Sequence, residues 1–296
     1  MNAWVAGARP RTLGAGVVPV LVGAAAADRF VPWRLGAALL VALGLQVGVN
    51  YANDYFDGVR GVDTTARLGP PRLVASGTAS PSAVLAAALV AMAVAAVAGL
   101  ALALVTAPVP VLGIGALALL ATLVYSGGPA PLAELGLGEV MVFLFFGLMA
   151  TCGTAFVLIE TVPAAAWSAG VVLGLLAVAI LVANNLRDIP TDEASGKRTL
   201  AVRVGDGATR RLYRVVVVGA FVTIVVGVLA YIVDERVGLP QWGLLGLAGW
   251  IPAIRPMDTV GSAQGRALVP ALTGTALVHA VTGLLLALGL VLSRTV

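Results

Sequence analysis

Ala52-Asn-Asp-Tyr-Phe-Asp57 and Ala183-Asn-Asn-Leu-Arg-Asp188 share the frame Ala-Asn-x-x-x-Asp. Each closes a long apolar run and opens a polar stretch, 57–80 in the first case and 188–210 in the second. Side chains four apart stack on one face of a helix, so Asn53 falls with Asp57, and Asn184 with Asp188. Asp54 lies beside the first pair, and Asp63 follows it across Gly58 and Gly61. Asp192 continues the second by four more residues, although Pro190 is expected to end the regular helix before it.

Around these motifs the chain is apolar. Of its 296 residues 60% are hydrophobic and 11% charged, with a mean hydropathy of +1.02. A soluble domain cannot cover that much apolar surface, so lipid is the solvent for most of the chain. Segments of about 17–25 apolar residues suit a bilayer crossing. Nine are found, near 12–27, 34–56, 81–106, 108–126, 137–159, 165–187, 211–233, 239–254 and 267–293. The expected fold is therefore all-α, a polytopic membrane protein of about nine transmembrane helices in one domain, 1–296. The eighth segment has Pro240 and Pro252 near its ends and is expected to tilt or re-enter. The motifs end the second and sixth spans, four apart. That spacing implies two four-helix halves plus one helix, with a site where the halves meet. No cleavable signal peptide is expected, because the first apolar stretch follows Arg9 and Arg11 and is one of many. Cys152, the single cysteine, reads as a buried thiol in an apolar run.

Charge sets the orientation. With the N-terminus inside, one face holds Arg9, Arg11, Arg60, Arg67, Arg72, Arg187, Lys197, Arg198, Arg203, Arg210, Arg211, Arg214, Arg255 and Arg266. The other holds Arg29, Arg34, Arg236 and Arg294. Basic residues concentrate on cytoplasmic loops, so the N-terminus and both motifs face the cytoplasm from the plasma membrane. The net charge of +4 is accounted for in the same way, without nucleic acid. Arg210, Arg211 and Arg214 are expected to anchor the seventh span at the headgroups.

Clustered carboxylates at a hydrocarbon boundary are costly unless a cation neutralises them. Asn53, Asp54, Asp57, Asp63, Asn184, Asp188 and Asp192 offer oxygen alone, with no His or Cys nearby, which selects a hard ion such as Mg2+. Magnesium is commonly shared with substrate phosphates, and the bases that follow the motifs suit a diphosphate: Arg67 and Arg72 after the first, Lys197 and Arg198 after the second. Lys197 is the one lysine among 18 basic residues. A transporter of an anionic solute is the competing class, but its site belongs near the midplane, whereas these polar groups gather at one face.

These residues resemble the UbiA superfamily of intramembrane prenyltransferases, and within it the 1,4-dihydroxy-2-naphthoate prenyltransferases of menaquinone synthesis. The resemblance runs through Arg9-Pro-Arg-Thr-Leu13, Asn53-Asp-Tyr-Phe-Asp57 with Gly61-Val-Asp63, and Gly69-Pro-Pro-Arg72 with Ser76-Gly77. It continues through Tyr125-Ser-Gly-Gly-Pro129, Gly136-Leu-Gly-Glu139, Asn184-Asn-Leu-Arg-Asp188, Asp192 and Gly196-Lys-Arg-Thr-Leu-Ala-Val-Arg203. It implies transfer of a prenyl group from polyprenyl diphosphate to the naphthoate, releasing diphosphate and carbon dioxide, with two Mg2+ ions and with Asp57 and Asp188 at the reacting centre. Members that prenylate 4-hydroxybenzoate carry bases after the fourth span, but 127–136 has none. That absence favours the naphthoate subclass and leaves the diphosphate to Arg67, Arg72, Lys197 and Arg198. Tyr125 either steers the ring or the allylic cation, or anchors at the interface. Arg11 either approaches the aromatic carboxylate or the diphosphate, or is an inside anchor. His279 is expected to form a helix–helix hydrogen bond, and Glu160 to be solvated.

Overall fold

The computed structural model describes residues 2–62 and 72–294, except for the side chain of Arg11. Twelve α-helices account for most of them: α1 (Ala3–Gly7), α2 (Pro10–Ala26), α3 (Pro32–Val59), α4 (Pro81–Val105), α5 (Pro108–Val124), α6 (Gly138–Val142), α7 (Ala150–Ile159), α8 (Ala164–Ala194), α9 (Leu200–Val204), α10 (Asp206–Val233), α11 (Trp250–Ser262) and α12 (Val269–Leu292). Proline begins α2, α3, α4 and α5, where its missing N–H has no intrahelical partner to lose.

Among the described residues six helices are long and apolar enough to cross a bilayer. They are α3, α4, Gly138–Ile159, α8, α10 and Gly265–Leu292, and Thr12–Ala26 and Pro108–Val124 are shorter apolar helices. Val90, Val97 and Leu104, seven apart on α4, are 64%, 69% and 68% exposed. Such a stripe is tolerable only against lipid. The chain is an integral membrane protein.

The segment expected near 239–254 is not one α-helix. It is a 3-10 helix, Gln241–Gly249, followed by α11. Gly243, Gly246 and Gly249 recur every third residue, and a 3-10 helix of three residues per turn puts all three on one face. A methyl on Gly246 would lie 2.9 Å from Leu286, and one on Gly249 would overlap Thr282. The tighter helix thus lets α12 approach closely. Gly138–Ile159 is interrupted by a π-helical segment, Phe143–Met149, where Gly147 packs backbone to backbone on Gly174 of α8.

Pro190 does not end α8, which runs on to Ala194. The hydroxyl of Thr191 donates to the Asp188 carbonyl (2.9 Å) and that of Ser195 to the Asp192 carbonyl (3.0 Å), folding both side chains back onto the last turns of the helix. Asn184, Asp188 and Asp192 therefore share one helical face.

α3 packs chiefly on α4 and α8 chiefly on α10, while α12 lies against α2 and α8. Cys152 is buried, and Glu160 stays exposed with Arg34 3.8 Å away. His279 is buried in α12 with Nε2 unpartnered, so the expected interhelical bond is not made there. Arg210 binds Asp206 and the carbonyls of Val260 and Ala263, tying α10 to the end of α11.

Candidate active site

The motif ends of α3 and α8 face one another across a small polar pocket. Its walls include Asn53 and Asp57 from α3, Asn184, Asn185, Asp188 and Asp192 from α8, and Arg9, Arg72, Tyr125, Ser126, Lys197 and Thr199 from the segments between helices. Arg9, Asn53, Tyr125, Leu181 and Asn184 also line a much larger cavity of about 600 Å3, so the two spaces share a boundary. The larger one is walled mainly by apolar residues of α2, α3, α4, α5, α8 and 141–157. α5 packs on α3 and α4 and leaves the cavity between itself and the facing Phe145, Phe146 and Met149.

Asp57, 1% exposed, is ringed by cations. Lys197 Nζ donates to Oδ2 (2.8 Å), Arg60 Nη2 donates to Oδ1 (3.0 Å), and Arg72 Nη2 lies 3.7 Å from Oδ2. The loop after α8 places Lys197 by donating its backbone N–H to the Asp192 carbonyl (2.8 Å). One lysine, 140 residues from Asp57, thus ties the two motifs into one site.

Asp188 is gripped by its neighbour. Arg187 Nε and Nη2 donate to its two oxygens at 2.7 and 2.6 Å, and Nη2 also donates to Asn184 Oδ1 at 2.9 Å. Sequence alone puts Arg187 among the inside-facing surface charges. The structure buries it to 3% exposure, because the helical position before Asp188 looks into the protein.

Asp54 departs from expectation. Its carboxylate accepts the backbone N–H groups of Leu73 (2.8 Å) and Val74 (3.0 Å) and lines neither space. Adjacent residues on a helix point about 100° apart, so Asp54 turns away from Asn53 and toward Leu73 and Val74. It fixes the chain that carries Arg72. Arg198 is exposed and lines neither space. Asp63, Arg67 and the side chain of Arg11 lie outside the described residues.

The sequence did not single out Arg9, Arg60 or Ser126 for the site, whereas Tyr125 was a candidate. Arg9 has left-handed backbone (φ 55°, ψ 63°), an uncommon conformation for a non-glycine residue. It is held over the end of α3 because Tyr51 donates to the Trp4 carbonyl (2.8 Å) and Asn50 to the Ala8 carbonyl (2.9 Å). Arg60 bonds Glu134 (2.8 Å) and the Ser126 carbonyl (3.0 Å), clamping the segment after α5 to the first motif. Ser126 in turn donates to Asn53 Oδ1. Tyr125 sits over Gly138, whose added methyl would lie 3.2 Å from the phenol oxygen. Burial, with Glu139 close by, pushes that phenol above its ordinary range, so it stays a neutral donor.

The donor set fits magnesium. Every side chain in the pocket that can ligate a metal does so through oxygen, and the Thr199 hydroxyl is buried there without a partner. Among the described residues no three carboxylate, histidine or cysteine side chains come close enough to hold an ion by themselves. An ion here takes its remaining ligands from water or from a bound phosphate, the usual habit of magnesium.

Residues 16–274 match the model of the UbiA prenyltransferase family. A relative from Mycobacterium tuberculosis named 1,4-dihydroxy-2-naphthoate octaprenyltransferase is 42% identical, across 96% of this chain and 95% of its own length. One of the same name from Escherichia coli is 32% identical, across 99% and 96%. Among solved structures, the apo UbiA homologue of Aeropyrum pernix K1 superimposes with a TM-score of 0.70 at 15% identity, covering 96% of this chain and 98% of that one. A homologue from Archaeoglobus fulgidus bound to GPP and Mg2+ gives 0.65 at 15% identity, covering 96% and 99%. At such identities these two speak for the fold alone. The family model and the full-length relatives go further: this chain belongs to the UbiA prenyltransferase family.

Proposed function

We propose that the protein transfers a polyprenyl group from polyprenyl diphosphate to 1,4-dihydroxy-2-naphthoate with decarboxylation, giving demethylmenaquinone in its reduced, quinol form. One observation carries this reading: a polar pocket between two Asn-x-x-x-Asp motifs borders a large apolar cavity, as a substrate with an ionic head and a long hydrocarbon tail requires. The names of the full-length relatives support the same acceptor.

In this reading Asn53, Asp57, Asn184, Asp188 and Asp192 would hold two Mg2+ ions, which when bound would supply positive charge against the leaving diphosphate. Lys197 and Arg72 bind its oxygens from the protein side, and Arg60 keeps Asp57 oriented. Asp63, Arg67 and Arg11 join the same site from the sequence pattern. The allylic C–O bond breaks with its electron pair going to diphosphate, and the apolar walls keep water from the allylic cation. The ring carbon that carries the carboxylate forms the new C–C bond, and the carboxylate leaves as carbon dioxide, its electron pair restoring the aromatic ring. Tyr125 stands at the boundary of the two spaces as a neutral donor, and Arg9 there presents a cation to the acceptor carboxylate. The tail lies in the cavity between α5 and 141–157, open to lipid.

The arrangement we favour is a single unit, 1–296, of nine crossings: the six long helices, the two shorter apolar ones and 241–262. The N-terminus and site face the cytoplasm from the plasma membrane, as the charge distribution indicates. The test is to give membranes containing the protein labelled polyprenyl diphosphate, Mg2+ and a panel of acceptors: the naphthoate, 4-hydroxybenzoate and homogentisate. Labelled product is expected with the naphthoate. Product with another acceptor and none with the naphthoate would overturn the assignment.

A further inference from the structure

A helix turns about 100° per residue, so Asn185, Asp188 and Asp192 fall within an arc of about 60° on α8. All three line the polar pocket, Asn185 half-buried and the two acids buried. The Asn185 side-chain nitrogen donates to Glu139 Oε1 (3.1 Å). Its oxygen has no hydrogen-bond partner among the described residues and keeps accessible surface. Asn184 is committed differently, because its oxygen accepts from Arg187 Nη2 (2.9 Å).

Glu139 stands behind the pocket in α6, which packs on α8. It is 8% exposed and lines neither the polar pocket nor the apolar cavity. A carboxyl group taken out of water is costly unless hydrogen bonds compensate it, and the Asn185 amide supplies one. That bond also has a direction. A carboxylate only accepts, so it draws the nitrogen end of an amide and repels the carbonyl end. On the proposed function given above, we infer that Glu139 is a positioning residue. It holds the Asn185 amide with its carbonyl oxygen toward the pocket, where that oxygen joins Asp188 and Asp192 as a neutral ligand for a divalent cation. Hard cations take amide oxygens readily, and among the described residues no three carboxylates are close enough to serve alone.

Purified full-length protein tests this by equilibrium dialysis of Mn2+ with excess inorganic diphosphate, whose competition for the ion is the same for every variant. Asn185→Leu is expected to weaken Mn2+ binding about tenfold. Glu139→Leu should match it, because an unheld amide turns its nitrogen to the pocket as readily as its oxygen. The double variant should bind no more weakly than either single one, since both changes remove the same unit. Glu139→Gln keeps an acceptor for the Asn185 nitrogen and should stay within about threefold of the unaltered protein.

Unchanged Mn2+ affinity in Asn185→Leu or Glu139→Leu, or single effects that multiply in the double variant, would overturn the inference. Equal losses in Glu139→Gln and Glu139→Leu would do the same, by assigning the effect to the charge of Glu139 instead of its hold on the amide. Should Glu139→Leu fail to fold, Glu139→Asp, one methylene too short to reach the amide, replaces it in the same comparison. An unaltered protein that takes up no Mn2+ with diphosphate would instead defeat the broader reading of the site, so the two failures are told apart.

Discussion

Arg187→Met removes the guanidinium that grips Asp188 while keeping a side chain of similar length. Three hydrogen bonds go, at 2.7, 2.6 and 2.9 Å, between groups about 3% exposed. Breaking a buried ion pair from one side costs about 3–5 kcal/mol, because the remaining charge keeps its desolvation penalty and loses its compensation. At 2–4 °C per kcal/mol for a chain of this general size, melting should fall by roughly 6–20 °C in magnesium-free detergent solution. If Asp188 is also a magnesium ligand, the ion compensates the same carboxylate. Adding Mg2+ with inorganic diphosphate should then raise the variant's melting temperature more than that of the unaltered protein, closing at least half the gap. Thermal unfolding followed by intrinsic fluorescence, with and without Mg2+, reads this directly. An identical gap in both conditions would refute the idea that Arg187 and the ion act on the same carboxylate.

Asp54→Asn should cost about 1–3 kcal/mol of stability by weakening the bonds to Leu73 and Val74, yet leave the Mg2+ concentration for half-maximal turnover unchanged. A magnesium titration of the variant decides whether Asp54 is scaffold or ligand. Lys197→Met should lower turnover about a hundredfold and raise the KM for polyprenyl diphosphate, with folded protein retained; steady-state kinetics at unchanged activity would remove Lys197 from the site. Gly147→Ala places a methyl 2.4 Å from the Gly174 Cα and should destabilise by about 1–3 kcal/mol, whereas Gly153→Ala meets nothing within 4 Å and should be neutral. Equal melting curves for that pair would contradict the close packing of the π-helical segment on α8.

Local features of this molecule were legible in sequence, and long-range ones were not. Long apolar runs announced the membrane helices because hydropathy is summed along the chain. The four-residue step of Asn53 and Asp57, and of Asn184 and Asp188, announced each polar face because helical period alone decides it. Asp54 was unreadable because its partners, the Leu73 and Val74 amides, lie in a following loop whose path composition does not fix. Arg187 looked like any inside-facing charge, since burial of a guanidinium depends on which face of α8 meets its neighbours. Pro190 misled because it removes a single backbone hydrogen bond, and the turns on either side, which bury Leu186, Asp188 and Asp192, carry α8 through that loss. The 3-10 segment did leave a trace, glycine every third residue at 243, 246 and 249. The bringing together of Asp57 and Asp188 rests on the packing of distant helices; its advance signs were the short repeated frame, the shared face and the family resemblance.

The most direct test of that convergence is to diffract crystals grown with Mn2+ and a non-hydrolysable polyprenyl diphosphate analogue, locating the ions by anomalous scattering. The account predicts Mn2+ between the Asn53–Asp57 and Asn184–Asp188–Asp192 faces, bridged by the diphosphate, with the hydrocarbon tail in the cavity between α5 and 141–157. Ions and diphosphate bound away from either face would contradict it.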